Sequence, residues 1–176
     1  IEELKENEFK DLYDEPEDKK QYVKDITIDT DFELLFPDDY VNSITERLNL
    51  YTTLNNIKTE EELVTFESQL VDRFGELPTQ VIDLLNSVRI KWIATKLGIE
   101  KVMMKKGKLI GYFINDQQSS FYQSKNFTKL LQYVQTHLQS CKMKEKETRN
   151  GLRLLRTFDN IKSVDKALQV LKPILE

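Results

Sequence analysis

Two helical patterns meet at a corner in the middle of the chain. In the first pattern, apolar residues recur at intervals of three and four: Leu63, Phe66, Leu70 and Phe74. This stripe predicts an amphipathic helix over 60–74. Thr59 and Glu62 have the spacing of a capping box at its start, in which each side chain bonds a backbone N–H of the other residue. Gly75 can adopt the left-handed conformation that ends many helices.

The second pattern predicts a helix over 78–97. Pro78 suits a first helical turn, where its missing N–H costs nothing, and Gly98 ends the pattern. The apolar positions cover most of the circumference: Val81, Ile82, Leu84, Leu85, Val88, Ile90, Trp92, Ile93 and Leu97. A stripe this wide is typical of a helix covered on most sides, so we expect this helix to form the centre of the core.

Upstream of the two helices, apolar and polar residues alternate over 25–36, which predicts a strand ended by Pro37. A helix is then predicted from about residue 40 to Asn55, with Asp38 or Asp39 as its cap, because a carboxylate accepts the free N–H groups of a first turn. Its apolar positions have helical spacing: Tyr40, Val41, Ile44, Leu48, Tyr51 and Leu54.

After Gly98 the apolar period changes from helical to two. Strands are predicted over 99–105 and 109–114 around a turn at Lys106-Gly107, and over 143–148 and 152–158 around Asn150-Gly151. Phe121-Tyr122 is expected to add a short strand.

Further helices are predicted over 125–139 and 164–171. The predicted fold class is therefore α+β: an N-terminal helical half followed by an antiparallel ββαββα half, with helices packed on one face of the sheet.

Three ordered sequence blocks carry a family resemblance. They are Phe-Pro-Asp-Asp-Tyr-Val at 36–41 followed by Arg47-Leu48 and Tyr51, Leu-Val-Asp-Arg-Phe-Gly-Glu-Leu-Pro at 70–78, and Lys-Leu-Gly-Ile at 96–99. In order and spacing, from about residue 25 to 100, the chain resembles the C-terminal domain of the bacterial transcription-repair coupling factor family. The resemblance implies a domain over 25–174. It also implies that residues 1–24 form an acidic linker from a DNA-translocating motor. We expect Leu175-Glu176 to be a cloning remnant.

Composition narrows the cellular setting. Hydrophobic residues make up 39% of the chain and charged residues 32%. No apolar run approaches the length of a membrane span, and no signal-peptide pattern opens the chain. Cys141 is the only cysteine, so an internal disulfide is not expected and a reducing compartment fits. We expect a cytoplasmic protein with no membrane partner.

The chain offers little catalytic chemistry. The five glycines are scattered, without a phosphate-binding loop. His137 and Cys141 are too few for a zinc site, which needs four ligands. We expect the carboxylate groups at 38–39 and 60–62 to cap helices. The chain alone is therefore predicted to have no catalytic activity and no cofactor. By resemblance, ATP and Mg²⁺ would belong to the motor only.

One face of the predicted 60–74 helix is a candidate interaction surface. Thr65, Gln69, Asp72 and Glu76 follow at intervals of four, three and four, opposite the apolar stripe. Asp72 lies in the last turn, where the negative end of the helix dipole disfavours an acidic residue. Either an outside partner explains this placement, or Asp72 pairs with Arg73 or a nearby lysine as a solvated charge.

The resemblance gives this face a role. It implies that the domain folds back on the N-terminal UvrB-like module of the same protein and masks the surface that recruits UvrA. The acidic positions at the end of this helix would meet arginines of that module. Asp72 matches one such position, and Gln69 stands where the family often has Glu. The predicted interface comprises Thr65, Gln69, Asp72, Arg73 and Glu76. UvrA, RNA polymerase and DNA would be indirect partners through the parent translocase.

A nucleic-acid-binding module is the alternative. Charge is segregated, because residues 1–39 hold 15 acidic and 5 basic residues whereas 84–115 hold seven basic residues and one acidic residue. The second hairpin adds Lys142, Lys144, Lys146, Arg149, Arg153 and Arg156. Phosphates would pair with such a surface. Against this alternative, the sequence pI is about 5.3, and aromatic residues are not interleaved with the basic ones.

Overall fold

The computed structural model describes residues 22–23, 25–116, 118–139, 141–148 and 151–175. Within this part of the chain there are five strands, five α-helices and one 3₁₀ helix. In chain order they are β1 (Thr27–Thr30), α1 (Ile44–Asn56), α2 (Glu60–Phe74), α3 (Thr79–Lys96), β2 (Ile99–Lys105), β3 (Lys108–Phe113), a 3₁₀ helix (Ser120–Gln123), α4 (Lys125–Thr136), β4 (Cys141–Thr148), β5 (Gly151–Phe158) and α5 (Val164–Leu175).

The strands form a single five-stranded sheet in the order β1-β2-β3-β5-β4. The two hairpins pair antiparallel, as predicted, and β3 joins them through β5. Lys106 and Gly107 connect β2 to β3 with φ values of 54° and 72°, which suits a two-residue hairpin turn. The α+β fold class is confirmed. The ββαββα prediction lacked one pairing, because β1 adds to the edge of the sheet in parallel with β2.

Helices α3, α4 and α5 cover one face of the sheet. The covered face supplies alternate strand residues to the main hydrophobic core, among them Val102, Met104, Leu109, Phe113 and Phe158. The facing helices contribute Ile90, Ala94, Leu97, Leu130, Val134, Ala167, Leu168 and Leu171. Burial of these side chains is the main force that holds the helices on this face.

A second core lies among α1, α2 and the first half of α3. Its buried members are Phe36, Val41, Leu50, Leu54, Ile57, Leu63, Phe66, Leu70, Val81 and Leu85. Helix α3 belongs to both cores, since Val81 and Leu85 serve this one and Ile90 serves the other. The wide apolar stripe seen in the sequence is explained by this double role.

The start of α1 differs from its prediction. The helix begins at Ile44, and the Ser43 side chain accepts the Glu46 N–H, so the prediction that Asp38 or Asp39 caps it was wrong. Those two residues lie in a turn closed by N–H groups that bond the Pro37 carbonyl. The buried face of α1 is the one that carries Leu50 and Leu54. Ile44 and Leu48, predicted on the apolar stripe, are 68% and 60% exposed.

Other boundaries shift for local reasons. Phe121-Tyr122 form part of a 3₁₀ helix, contrary to the predicted strand, because the buried Phe121 ring packs against Gly98. Of the strand predicted over 25–36, only Thr27–Thr30 forms a strand. Pro78 is the N-cap of α3 and so precedes its first turn by one residue, and α4 ends at Thr136, three residues before its predicted end.

Some predictions fall on residues outside the described ranges. These include the linker at 1–21, the Asn150 turn residue and Arg149. Of the predicted linker, Val23 is buried in the main core and the Tyr22 ring lies 5.5 Å from that of Phe121. Leu175 is the last residue of α5 and packs against the same core. Among the described residues, no helix is both long and apolar enough to cross a membrane.

Two glycines allow a matched test of packing at the end of α3. Gly98 and Gly107 have φ values of +69° and +72°, but a Cβ at Gly98 would lie 2.4 Å from the Phe121 ring, whereas nothing lies within 4 Å of one at Gly107. We expect Gly107→Ala to destabilise the fold by about 1 kcal/mol through backbone strain. Gly98→Ala should cost about 2–4 kcal/mol because the clash adds to the strain. Urea unfolding measures both, and equal losses would contradict the packing of Phe121 on Gly98.

Candidate functional site

The candidate surface rests on helix α2, which is capped at both ends. The Thr59 side chain accepts the Glu62 N–H, and Glu62 Oε2 accepts the Lys58 N–H. In the predicted capping box the Glu62 carboxylate would accept the Thr59 N–H. In the structure it accepts the N–H of Lys58, one residue earlier. At the other end, Gly75 has φ +90° and its N–H bonds the Val71 carbonyl at 2.9 Å, so the predicted glycine stop is confirmed.

A tyrosine from the 36–41 block caps the C-terminus of α2. The Tyr40 hydroxyl lies 3.2 Å from the carbonyl oxygen of Leu70 and 3.0 Å from that of Gly75, and it donates to this pair. Its ring also lies 5.6 Å from the ring of Phe74. Leu70 lies at the start of the last turn and Gly75 directly follows the helix, so the hydroxyl ties this turn to a residue 30 positions upstream. Partial burial raises the pKa of Tyr40.

Arg47 holds the turn that presents Tyr40. Its Nη1 donates to the Val41 carbonyl at 2.6 Å and lies 3.3 Å from Asp38 Oδ1. Nearby, the Phe36 N–H donates to the Tyr51 hydroxyl at 2.9 Å. The residues that carry the family resemblance upstream therefore build the support for the end of α2.

Arg73 points back toward α1. Its guanidinium bonds Glu46 and lies 4.8 Å from the centre of the Phe74 ring. Arg73, which the sequence suggested as an ion-pair partner for Asp72, therefore pairs with Glu46. Arg73 therefore lies apart from the outward face on which it was predicted.

The other predicted interface residues, Thr65, Gln69, Asp72 and Glu76, are all exposed. Asp72 lies on the outer side of the last turn of α2, and no cation of the described chain is within ion-pair distance of its carboxylate. Glu76 follows Gly75 and so stands beyond the helix. The structure thus brings Thr65, Gln69 and Asp72 onto one helix surface, with Glu76 near its end.

Two shallow grooves flank this surface. Asp72 lines the first, of about 300 Å³, with Val64, Glu67, Ser68 and Val71. Val64 is 48% and Val71 44% exposed, so the carboxylate stands beside apolar surface. Val64 and Val71 were not predicted as site residues, although their spacing of seven residues outside the buried stripe indicated a second apolar line on α2.

Thr65 and Gln69 line the second groove, of about 320 Å³, together with Thr53, Ile57, Glu61, Glu62 and Phe66. The Thr65 hydroxyl donates to the Glu61 carbonyl at 3.0 Å. Gln69 thus lies in the second groove, three residues before Asp72 in the first.

The carboxylates at the start of α2 have structural partners. Arg89 of α3 bonds both oxygens of Glu60, at 2.7–3.0 Å, and lowers the pKa of that carboxyl group. His137 stacks on the Tyr133 ring at 3.9 Å, while the side chain of Cys141 lies outside the described part. The described residues include no group of three metal-ligating side chains.

Comparisons with known proteins agree with the fold. A family model described as TRCF domain matches residues 30–124. The transcription-repair-coupling factor of Rickettsia conorii is 34% identical over 119 residues, covering 67% of this chain and 10% of that protein. The Escherichia coli protein of the same name is 41% identical over 68 residues, covering 39% of this chain and 6% of that protein. The chain thus spans about a tenth or less of the length of these relatives.

A solved structure shares the fold. It is described as the crystal structure of the C-terminal domain of transcription-repair coupling factor, with a TM-score of 0.60 and 20% sequence identity. The match covers 85% of this chain and 92% of that chain. Nearly the whole of that domain therefore has a counterpart here.

Removing the capping hydroxyl tests the support of α2. We expect Tyr40→Phe to destabilise the domain by about 1 kcal/mol, since two carbonyls lose a donor. Folding raises the pKa of Tyr40, so its contribution is complete below the unfolded pKa and is lost as pH rises through the folded one. The difference between the two proteins should shrink at strongly alkaline pH. Urea unfolding at pH 7 and above pH 10 measures it, and equal stabilities at pH 7 would contradict the cap.

Asp72→Asn tests whether the Asp72 carboxylate has a role inside the domain. The change removes an unfavourable charge at the negative end of the α2 dipole. We expect stability to rise by about 0.3–1 kcal/mol at low ionic strength, with a smaller gain in high salt. A shift of the urea midpoint measures the gain. A clear loss of stability would mean that the carboxylate is used internally.

Proposed function

Because the chain belongs to the TRCF domain family, we propose that it acts as a regulatory protein-interaction domain of a transcription-repair coupling factor. The observation that carries the proposal is the rigidly capped end of α2, which presents an exposed Asp72 carboxylate with no cation of the described chain in ion-pair range. A fixed, solvated acid beside apolar surface suits a partner that brings a cation.

The proposed partner is the N-terminal UvrB-like module of the same protein. In this interaction, arginines of the module meet Asp72, while Val64 and Val71 offer apolar contact. Gln69 stands at the neighbouring turn and accepts a hydrogen bond in place of a second carboxylate. A small number of charge-assisted contacts fixes the orientation of two surfaces without making the interface very strong.

Such an interface acts as a clamp that opens. While closed, the domain covers the surface of the module that recruits UvrA. Engagement of a stalled RNA polymerase by the parent protein releases the clamp, and excision repair follows. ATP hydrolysis, Mg²⁺ binding and DNA translocation belong to motor segments of the parent, in the cytoplasm, and this domain contributes no catalytic step.

Charge reversal at Asp72 in the whole parent protein tests the clamp. Asp72→Arg places a cation against the proposed arginines, so the closed state loses stability and UvrA gains access. A coupling of about 1–3 kcal/mol between sites corresponds to a change of about 5–150-fold in affinity. We therefore expect UvrA to bind the variant at least fivefold more tightly in the absence of polymerase.

Glu145→Arg is the matched control, because Glu145 is exposed and lies on the edge strand β4 of the sheet, outside the helical core that carries α2. Its UvrA affinity should equal that of the unmodified protein. The purified UvrB-like module should also bind the unmodified 176-residue chain in trans and bind the Asp72 variant more weakly. Unchanged UvrA affinity in the Asp72 variant would overturn the clamp.

A further inference from the structure

The sheet face opposite the helices carries a second surface. Side chains alternate between the two faces of a strand, so the strand residues between those of the main core point to the opposite side. They include Met103, Ile110, Tyr112 and Thr157, which are half-buried and belong to neither core. No helix of the described chain covers this side, which we call the open face.

Lysines dominate the open face. Lys101 and Lys105 lie on β2, Lys108 on β3, and Lys142, Lys144 and Lys146 on β4, where the register aligns them with other open-face positions. Two of the six are neutralised, since Lys105 pairs with Asp29 at 2.7 Å and Lys108 lies 3.9 Å from Asp159. The other four have no ion pair to a described residue.

The four remaining lysines border a floor of apolar and aromatic side chains. The register aligns Lys101 with Tyr112, Tyr112 with Leu155, and Leu155 with Lys144. The Cα atoms of Lys101 and Lys144 thus lie about 14 Å apart, three strand spacings, with the half-buried Tyr112 and the buried Leu155 between them. The Lys101 ammonium lies 5.4 Å from the centre of the Tyr112 ring. Along β4, alternate lysines extend this border.

We propose that the open face binds a single-stranded nucleic acid. Phosphates pair with the lysines of β2 and β4, and a base stacks on Tyr112. This arrangement, a positively charged path beside an aromatic platform, is the one by which proteins bind single strands without sequence preference. The proposal is independent of the clamp, because the open face belongs to the sheet and Asp72 to the helical core.

Two simpler roles for these lysines would account for less of the surface. Lysines on an edge strand prevent pairing between sheets, but β2 lies inside the sheet and carries Lys101 as well. An acidic peptide would use the lysines but has no need of the phenol ring between them.

The basic residues of 84–115 do not form one surface. Arg89 bonds Glu60 on the helical side of the domain, away from the open face. The β4 lysines, distant in sequence, complete the open face instead.

Fluorescence anisotropy of a labelled 20-nucleotide oligo-dT with the 176-residue chain tests the proposal. Contact with about four phosphates predicts a slope of about −3 for log affinity against log salt. The triple variant Lys142→Gln, Lys144→Gln, Lys146→Gln should reduce the magnitude of that slope by about 2. The control triple Lys58→Gln, Lys91→Gln, Lys166→Gln makes the same charge change at exposed positions elsewhere and should leave the slope unchanged.

Tyr112→Leu separates stacking from charge. It keeps the floor apolar, so affinity should fall about tenfold while the salt slope stays constant. Circular dichroism and the urea midpoint confirm folding of each variant. Equal losses in both triple variants, or no binding in low salt, would overturn the proposal. The proposal would also be overturned if poly-glutamate displaced the oligo-dT as well as unlabelled oligo-dT does and the Tyr112 variant kept its affinity. The partner would then be an acidic protein segment.

Discussion

The hydrogen bonds of a single hydroxyl determine the geometry of the candidate interface. Tyr40 reaches the Leu70 and Gly75 carbonyls, and the end of α2 is thereby tied to a segment 30 residues upstream. Leu70 lies at the start of the last turn and Gly75 directly follows it, so the two bonds hold both ends of that turn. The turn at 36–41 and the helix end are thus one unit. This explains why sequence blocks so far apart in the chain occur together in the family resemblance.

Helix α3 separates the two surfaces of the domain. Its first half packs against α2 through Val81 and Leu85, and its second half packs against the sheet through Ile90 and Ala94. The two surfaces are supported by different cores. The changes in unfolding free energy caused by one substitution on each surface should therefore be additive.

Periodicity alone predicted α2, α3 and the first hairpin, because each buries a regular stripe and ends at a glycine or a two-residue turn. It failed at α1. Ile44 and Leu48 have helical spacing, but the turn fixed by Pro37 and Arg47 delays the helix until Ser43 caps it. Phe121 was wrongly placed in a strand because its burial depends on Gly98, a distant contact that no local pattern reveals.

The same limit applies to the candidate site. The position of Asp72 opposite the buried stripe followed from helix geometry, since a stripe that faces inward fixes what faces outward. The lysine surface did not follow, because Lys101 and Lys144 become neighbours of Tyr112 and Leu155 only through the strand order β2-β3-β5-β4.

The two surfaces have opposite charge, and this decides which partners they accept. A surface that carries Asp72 attracts cations and repels phosphates, whereas the open face of the sheet does the reverse. A single charged patch on a partner therefore cannot complement both surfaces. Because α3 holds them on separate cores, a basic protein module and a polyanion can be bound by the same domain without competing for the same side chains.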